Sequence, residues 1–288
     1  MGSVLPVKAI VVFDIDGVVR DVGQSYRRAL ADTVEHFTGG AYRPSQDDID
    51  RLKAEGLWNN DWLGSQELIV RYREGQGQGR QGLNSEQLDY DQIVDFFQRR
   101  YRGQNLEDPE QWDGYISQEP LLMQRSYLET LNQAGFAWGF FSGATRGSAL
   151  YALTQRLGLV DPPLVAMGDA PDKPDPTGLF QVVQQLENTV TQTQSSLLPV
   201  VYAGDTVADL YTVTHAKTQN PDRLWIAVGV LPPHVQDTPD RQQRYTETLE
   251  KAGSNAIVSH IEALTPELIH GLIQSSSSFH KQGINLRR

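Results

Sequence analysis

The chain has 288 residues, a formal net charge of −11 and no cysteine. That length holds one large domain or two modest ones, the acidic balance argues against a nucleic-acid or anionic-membrane partner, and the missing thiols exclude disulfides, thiolate metal sites and cysteine nucleophiles. No run approaches the roughly 18 apolar residues of a membrane span, and the short N-terminal apolar stretch carries Lys8 and ends in two aspartates, which marks a buried strand of a cytoplasmic globular protein rather than a signal peptide.

The first predicted element is the apolar run Ala9 to Phe13, a strand followed at once by Asp14-Ile15-Asp16-Gly17-Val18. Strand side chains alternate faces, so Asp14 and Asp16 project to the same side at the strand's C-terminal end. That edge is where open α/β sheets bind ligands. Two like charges this close repel by about 1 kcal/mol in bulk water and several times that at an effective dielectric near 20. A hard divalent cation with oxygen ligands, Mg²⁺ above all, is the natural partner.

Ser25 to Phe37 then reads as an amphipathic helix, with Tyr26, Ala29, Leu30, Val34 and Phe37 at helical spacing. Ser45 is placed to cap a short helix ending near Glu55-Gly56, and Leu57 to Trp62 reads as a loop able to contact a ligand. A helix is expected from about Gln66 to Arg73, a low-complexity stretch from Glu74 to Gly82, and a helix capped by Ser85 with Leu88, Ile93, Phe96, Phe97 and Tyr101 as its apolar face. After Pro120 helices and strands alternate. Strands are predicted at Phe136–Phe141, Leu164–Met167, Pro199–Ala203, Leu224–Val228 and Ala256–Val258, with helices at about 121–134, 147–157, 177–186 and 241–252. A polar loop is expected over Thr189 to Ser196 and a frayed tail from Ser275.

Such alternation implies a doubly wound parallel sheet of the α/β class. The first connection is the exception, since a crossover needs only a dozen or more residues and over a hundred separate the first two strands. The excess predicts an inserted helical domain at 22–118, a core at 1–21 and 119–274, and a flexible tail at 275–288.

Four points fall at strand ends or in the loops after them: Asp14 with Asp16, Ser142, Lys173, and Asp205 with Asp209. Parallel strands bring all four to one edge. A carboxylate is a competent nucleophile toward phosphorus. A second carboxyl two residues on can protonate the leaving oxygen and later deprotonate water. A lysine and a hydroxyl can hold the remaining phosphoryl oxygens. Four carboxylates and a phosphate dianion against a single lysine require a cation, and oxygen-only ligands favour Mg²⁺ over Zn²⁺.

At these residues the chain resembles the haloacid dehalogenase-like (HAD) superfamily, in the branch with a C1 cap inserted after the first motif (subfamily I). The resemblance covers residues 9–22 and 119–230. It implies Asp14 as nucleophile and Asp16 as general acid/base. Metal would be bound by the Asp14 side chain, the Asp16 carbonyl and Asp205, with Asp209 reaching it through water or from behind. Ser142 and Lys173 would bind the phosphoryl group, assisted by the N–H groups of Gly143 and Ala144. Lys53, Trp58, Asn59 and Asn60 lie in a segment similar to the family's substrate-specificity loop.

Local readings stand beside these: Ser142 as a helix N-cap, Asp209 as a first-turn acid, Trp58 and Trp62 as core of the inserted domain, Lys53 as a solvated helix residue, and Arg146 as the partner of a surface acid. The expected activity is Mg²⁺-dependent hydrolysis of a small phosphorylated metabolite through an aspartyl phosphate. A phosphomutase or a non-catalytic phosphometabolite-binding protein is the alternative. A dehalogenase is disfavoured by Asp16, because such relatives lack that carboxyl. In phosphonate-cleaving relatives a cap lysine forms a Schiff base, which draws attention to Lys53. His36 and His215 receive no role.

Overall fold

The computed structural model describes residues 6–58, 60–77, 89–189 and 197–285, with the side chains of 278–285 excepted. It divides into two compact units: residues 1–20 with 121–288, and residues 21–120.

The first strand, β1 (Ala9–Phe13), is wholly buried, as its uninterrupted apolar run requires of a central parallel strand. The chain then enters the helical unit: α1 (Tyr26–Phe37), α2 (Gln46–Ala54), α3 (Asp61–Gly75) and α4 (Tyr90–Tyr101). Ser45 caps α2 as expected, in a reciprocal box with Asp48. Helix α3 begins earlier than its apolar pattern suggests, because the Asn60 side chain accepts from the Trp62 and Leu63 amides and so caps it. Asp89 caps α4. Ser85, Leu88, Asn59 and the stretches 78–82 and 190–196 lie outside the described residues. The unit's core is aromatic around α1 and α4: Tyr26 packs on Tyr101 with ring centroids 4.0 Å apart and on Phe97 at 5.3 Å, and His36 stacks on Phe96 at 4.2 Å. Such pairs add about 0.5–1.5 kcal/mol each beyond their burial.

On its return the chain forms α5 (Arg125–Gln133), β2 (Phe136–Thr145) and α6 (Arg146–Leu150), whose axis continues in π-type turns to Arg156. Next come β3 (Leu164–Met167), α7 (Thr177–Thr189), β4 (Val200–Gly204), α8 (Val207–Gln219), β5 (Trp225–Val230), α9 (Pro239–Lys251), β6 (Ala256–Val258) and α10 (Pro266–Asn285). The predicted frayed tail is therefore helical as far as Asn285, Ser275 to Ser278 prolonging a helix that starts over Ile269 on the core. The sheet is parallel throughout, in the order β3-β2-β1-β4-β5-β6.

Alternation along β1 builds the two core layers. Ala9, Val11 and Phe13 pack with Leu128 and Leu131 of α5, Ala149 of α6 and Ile269 of α10. Ile10 and Val12 face Leu179 and Val182 of α7, Leu210 and Val213 of α8, and Leu249 of α9. Each fully buried side chain of this kind contributes roughly 1.5–3 kcal/mol. Helices thus cover both faces, and every strand delivers its C-terminal end to the same edge.

Candidate active site

Asp14 is the first residue beyond β1, and its amide donates to the Ala203 carbonyl at 2.9 Å, fixing it between β1 and β4. Its carboxylate is buried. Lys173, from the loop between β3 and α7, places Nζ 2.8 Å from Asp14 Oδ1 and 2.6 Å from Asp209 Oδ1. Asp209 sits in the first turn of α8, where Thr206 is the N-cap: Asp209 Oδ2 accepts from the Thr206 amide at 2.9 Å and from its hydroxyl at 2.7 Å. Its Oδ1 also accepts from the Tyr202 hydroxyl at 2.9 Å. Asp205, just past β4, is buried too. One carboxylate oxygen from each of Asp14, Asp205 and Asp209 falls within 4.8 Å of the others.

Two glycines make this closeness possible. Gly17 has φ +75°, and a Cβ there would lie 2.1 Å from Asp205 Oδ2; a Cβ on Gly204 would lie 2.3 Å from that of Asp209. Since the obstacles are buried acids held by the fold, Gly17→Ala is expected to misplace Asp205, with loss of turnover and of metal-induced thermal stabilisation. A melting curve with and without Mg²⁺ checks this, and an unchanged shift would show that the turn tolerates the methyl group.

Three clustered acids have one buried ammonium among them, bonded to Asp14 and Asp209, and their titration reflects it. Burial pushes the Asp14 carboxyl up to about 7, with Asp209 and Asp16 adding to the rise against the pull of Lys173. Asp205 is pushed well above the carboxylate range by burial, then by Asp209 and Asp14. Burial acts the same way on Asp209, but Lys173 and Thr206 outweigh it and hold this acid below its ordinary value. For Lys173, burial is overcome by Asp14 and Asp209, which keep it protonated. The donor set fits a hard divalent cation: all-oxygen, anionic, closely spaced and short of positive charge. Asp14 and Asp205 would have oxygens to offer such an ion, whereas both oxygens of Asp209 already accept from the protein, Oδ1 from Lys173 and Tyr202 and Oδ2 from Thr206.

Asp16 is half-buried. Its Oδ1 takes both Arg20 Nε at 2.7 Å and Arg20 Nη2 at 2.6 Å. Ser142 lies inside β2 rather than at a helix start, and Thr145 is the N-cap of α6. The Ala144 amide donates to Ser142 Oγ at 3.1 Å. The register pairs Phe13 with Phe140, which carries Ser142, Gly143 and Ala144 past the end of β1 on the same edge. Arg146 pairs with Asp169, the local alternative rather than a ligand contact.

The expected specificity-loop residues belong to the helical unit, where each described one has a local partner. Lys53 Nζ is 2.7 Å from Asp61, Trp58 Nε1 donates to Glu55 at 2.7 Å, and Asn60 caps α3. Sequence patterning alone gives Arg20, Tyr202 and His215 no place at the site. His215 Nδ1 lies 2.9 Å from the Pro174 carbonyl and braces the Lys173 loop. Asp16 and Arg20 stand at a four-residue spacing of opposite charge, a signal available in the sequence. Nothing in a strand pattern says that Tyr202 reaches an acid seven residues later.

A buried carboxylate just past β1, an acid two residues on, and a buried Lys–Asp cluster at the C-terminal edge of a doubly wound sheet are the site features of a hydrolase built on an α/β sheet. The model of the haloacid dehalogenase-like hydrolases matches residues 8–216, and the chain belongs to that family. It is 27% identical over 262 residues to an imidazoleglycerol-phosphate dehydratase from Phytophthora nicotianae, a match covering 88% of this chain and 50% of that protein. The chain thus spans about half the length of the curated relative it matches. In fold it is similar to a phosphonoacetaldehyde hydrolase like protein from Oleispira antarctica (17% identity, TM-score 0.64, covering 96% of this chain and 95% of that one). A β-phosphoglucomutase from Clostridium difficile aligns with 14% identity and a TM-score of 0.55, over 93% and 98% of the two chains. None of the described helices is long and apolar enough to cross a membrane.

Proposed function

We propose that this chain is a Mg²⁺-dependent phosphatase that hydrolyses a small phosphate monoester through an aspartyl phosphate. The observation that carries the reading is the single buried Lys173 among Asp14, Asp205 and Asp209, an arrangement short of positive charge and placed to receive an anion with its metal. An Asp14 oxygen attacks phosphorus, the bond to the leaving oxygen breaks, and that oxygen takes its electron pair and a proton from Asp16. Water then attacks the aspartyl phosphate, Asp16 recovers the proton, and the bond to Asp14 breaks. Lys173, Ser142 and the Gly143 amide hold the non-bridging oxygens, and the Ala144 amide, which donates to Ser142 Oγ, holds that hydroxyl in place. Asp14, Asp205 and the Asp16 carbonyl would hold a Mg²⁺ ion, which would supply the charge that offsets repulsion between nucleophile and phosphate.

On this reading residues 21–120 are a C1-type cap whose closure excludes bulk water and selects the substrate. That substrate is a small phosphorylated metabolite in the cytoplasm. Lys53, Trp58, Asn59 and Asn60 are the cap's candidate contacts. A mutase needs cationic ligands for a second phosphate, and this loop offers Asn and Trp rather than Arg, which favours the hydrolase over the mutase chemistry of the Clostridium difficile neighbour.

The test is phosphate release from an aryl phosphate and a panel of small phosphate esters. Turnover is expected with Mg²⁺ and none after exhaustive EDTA treatment. Full activity in EDTA would refute the metal role. Dependence on a sugar bisphosphate would make the protein a mutase, and a flat panel would make it a non-catalytic binder.

A further inference from the structure

Arg20 is among the largest fully buried side chains of the protein, 1% exposed. A guanidinium that deep needs a reason, because a buried charge is costly unless it is paired and hydrogen-bonded. Its partners are specific. Nε and Nη2 both reach Asp16 Oδ1, while Nη1 donates to the Ser148 carbonyl at 3.2 Å and Nη2 to the Ser148 hydroxyl at 3.0 Å. Ser148 belongs to α6, the helix that follows β2, 128 positions further along the chain.

Backbone geometry reinforces the link. The Gly17 amide donates to the Arg20 carbonyl at 2.9 Å, and the amides of Val18, Val19 and Arg20 all point at the Ile15 carbonyl. The turn is closed on itself, so Arg20 and Asp16 are held face to face. Arg20 therefore joins the short turn after β1 to the start of α6. Both contacts fall on Oδ1 of Asp16, leaving Oδ2 outside the ion pair.

The geometry points to Arg20 as a positioning residue: it fixes the rotamer of the Asp16 carboxyl, with α6 as the anchor, so that Oδ2 is the oxygen that exchanges the proton with the leaving group. A planar guanidinium suits this task, since its fork constrains direction as well as distance. The inference rests on the phosphatase reading and assigns a part to a residue that reading does not use.

Leaving-group dependence tests it. A proton donor matters little when the departing alcohol is a stable anion and matters greatly when it is a poor leaving group. Arg20→Met is expected to lower kcat/KM, which reports only the half-reaction in which the leaving group departs, by about 10²-fold on phenethyl phosphate, the low end of the general acid contribution, and by less than about threefold on 2,4-dinitrophenyl phosphate. Arg20→Lys should recover part of the loss on the alkyl ester. Ser148→Ala, a smaller lesion that leaves the Asp16 pair in place, should show the same selectivity at reduced size and decides the matter where the Met variant fails to fold.

Equal losses on both esters, in either variant, would reduce Arg20 to a structural residue. An Arg20→Met enzyme as fast as the wild type on the alkyl ester would overturn the inference outright. Failure of the phosphatase reading is separate: the wild-type protein would then release phosphate from neither ester.

Discussion

Asp14→Asn is expected to lower phosphate release from an aryl phosphate by roughly 10⁴-fold or more, the scale on which enzymes lose rate when a covalent nucleophile is removed, while leaving the fold intact. The substitution is close to isosteric, and the Asp14 amide keeps its bond to the Ala203 carbonyl. It also removes one of the acids that crowd Lys173. Burial, then Asp209 and Asp16, push the Asp14 carboxyl up to about 7, so its ionised form is disfavoured in the folded protein without a cation. The metal-free variant at pH 8 should therefore melt at the wild-type temperature or above it. Lost turnover with a retained or raised melting temperature assigns Asp14 to the chemistry. Lost turnover with a markedly lowered one would mean that its charge holds the structure together.

What the sequence discloses here follows from how local each signal is. The strands are short apolar runs bounded by turn residues, and β1, β3 and β6 fall where the pattern puts them. Asp14, Lys173, Asp205 and Asp209 meet because parallel strands share a C-terminal edge, a consequence of topology rather than of side-chain detail. The β2 strand runs on to Thr145, four residues past its apolar stretch, since pairing with β3 continues across a register shift. Ser142 is thereby a strand residue, which removes its reading as an N-cap.

Long-range partnership is harder to read. Tyr202 is indistinguishable from any core aromatic until the start of α8 sets Asp209 over its hydroxyl. Arg20 looks like a surface cation in a polar turn, yet Ser148 comes to it from a distant helix. Lys53 and Asn60 attract a functional reading by type and place, whereas Asp61 and the amides of α3 supply them with local partners.

Lys173→Met should separate the charge of this site from its packing. The residue is 3% exposed and bonds two buried carboxylates. Removing one member of such a set costs about 3–5 kcal/mol, and the cost should depend on pH. In the metal-free wild type, Asp14 has an unfolded value of 3.8 and a folded value of about 7. Between those limits the folded chain binds the proton more tightly than the unfolded one, so stability falls as pH rises and then levels off. Lys173 opposes that shift on Asp14 and is what holds Asp209 down. Without it both acids move up and the decline steepens.

The variant should therefore lie close to the wild type near pH 5, where the acids can protonate, and show its full deficit at pH 8 in urea titrations. Saturating Mg²⁺ at pH 8 should return part of that deficit, because an ion bound only by the folded state stabilises it and supplies the charge the lysine gave. A deficit of the same size at both pH values would show instead that the place of Nζ over the rings of Phe141 and Tyr202, 5.1 and 5.4 Å from their centroids, matters more than its pairing with the acids, since that contact does not respond to their protonation.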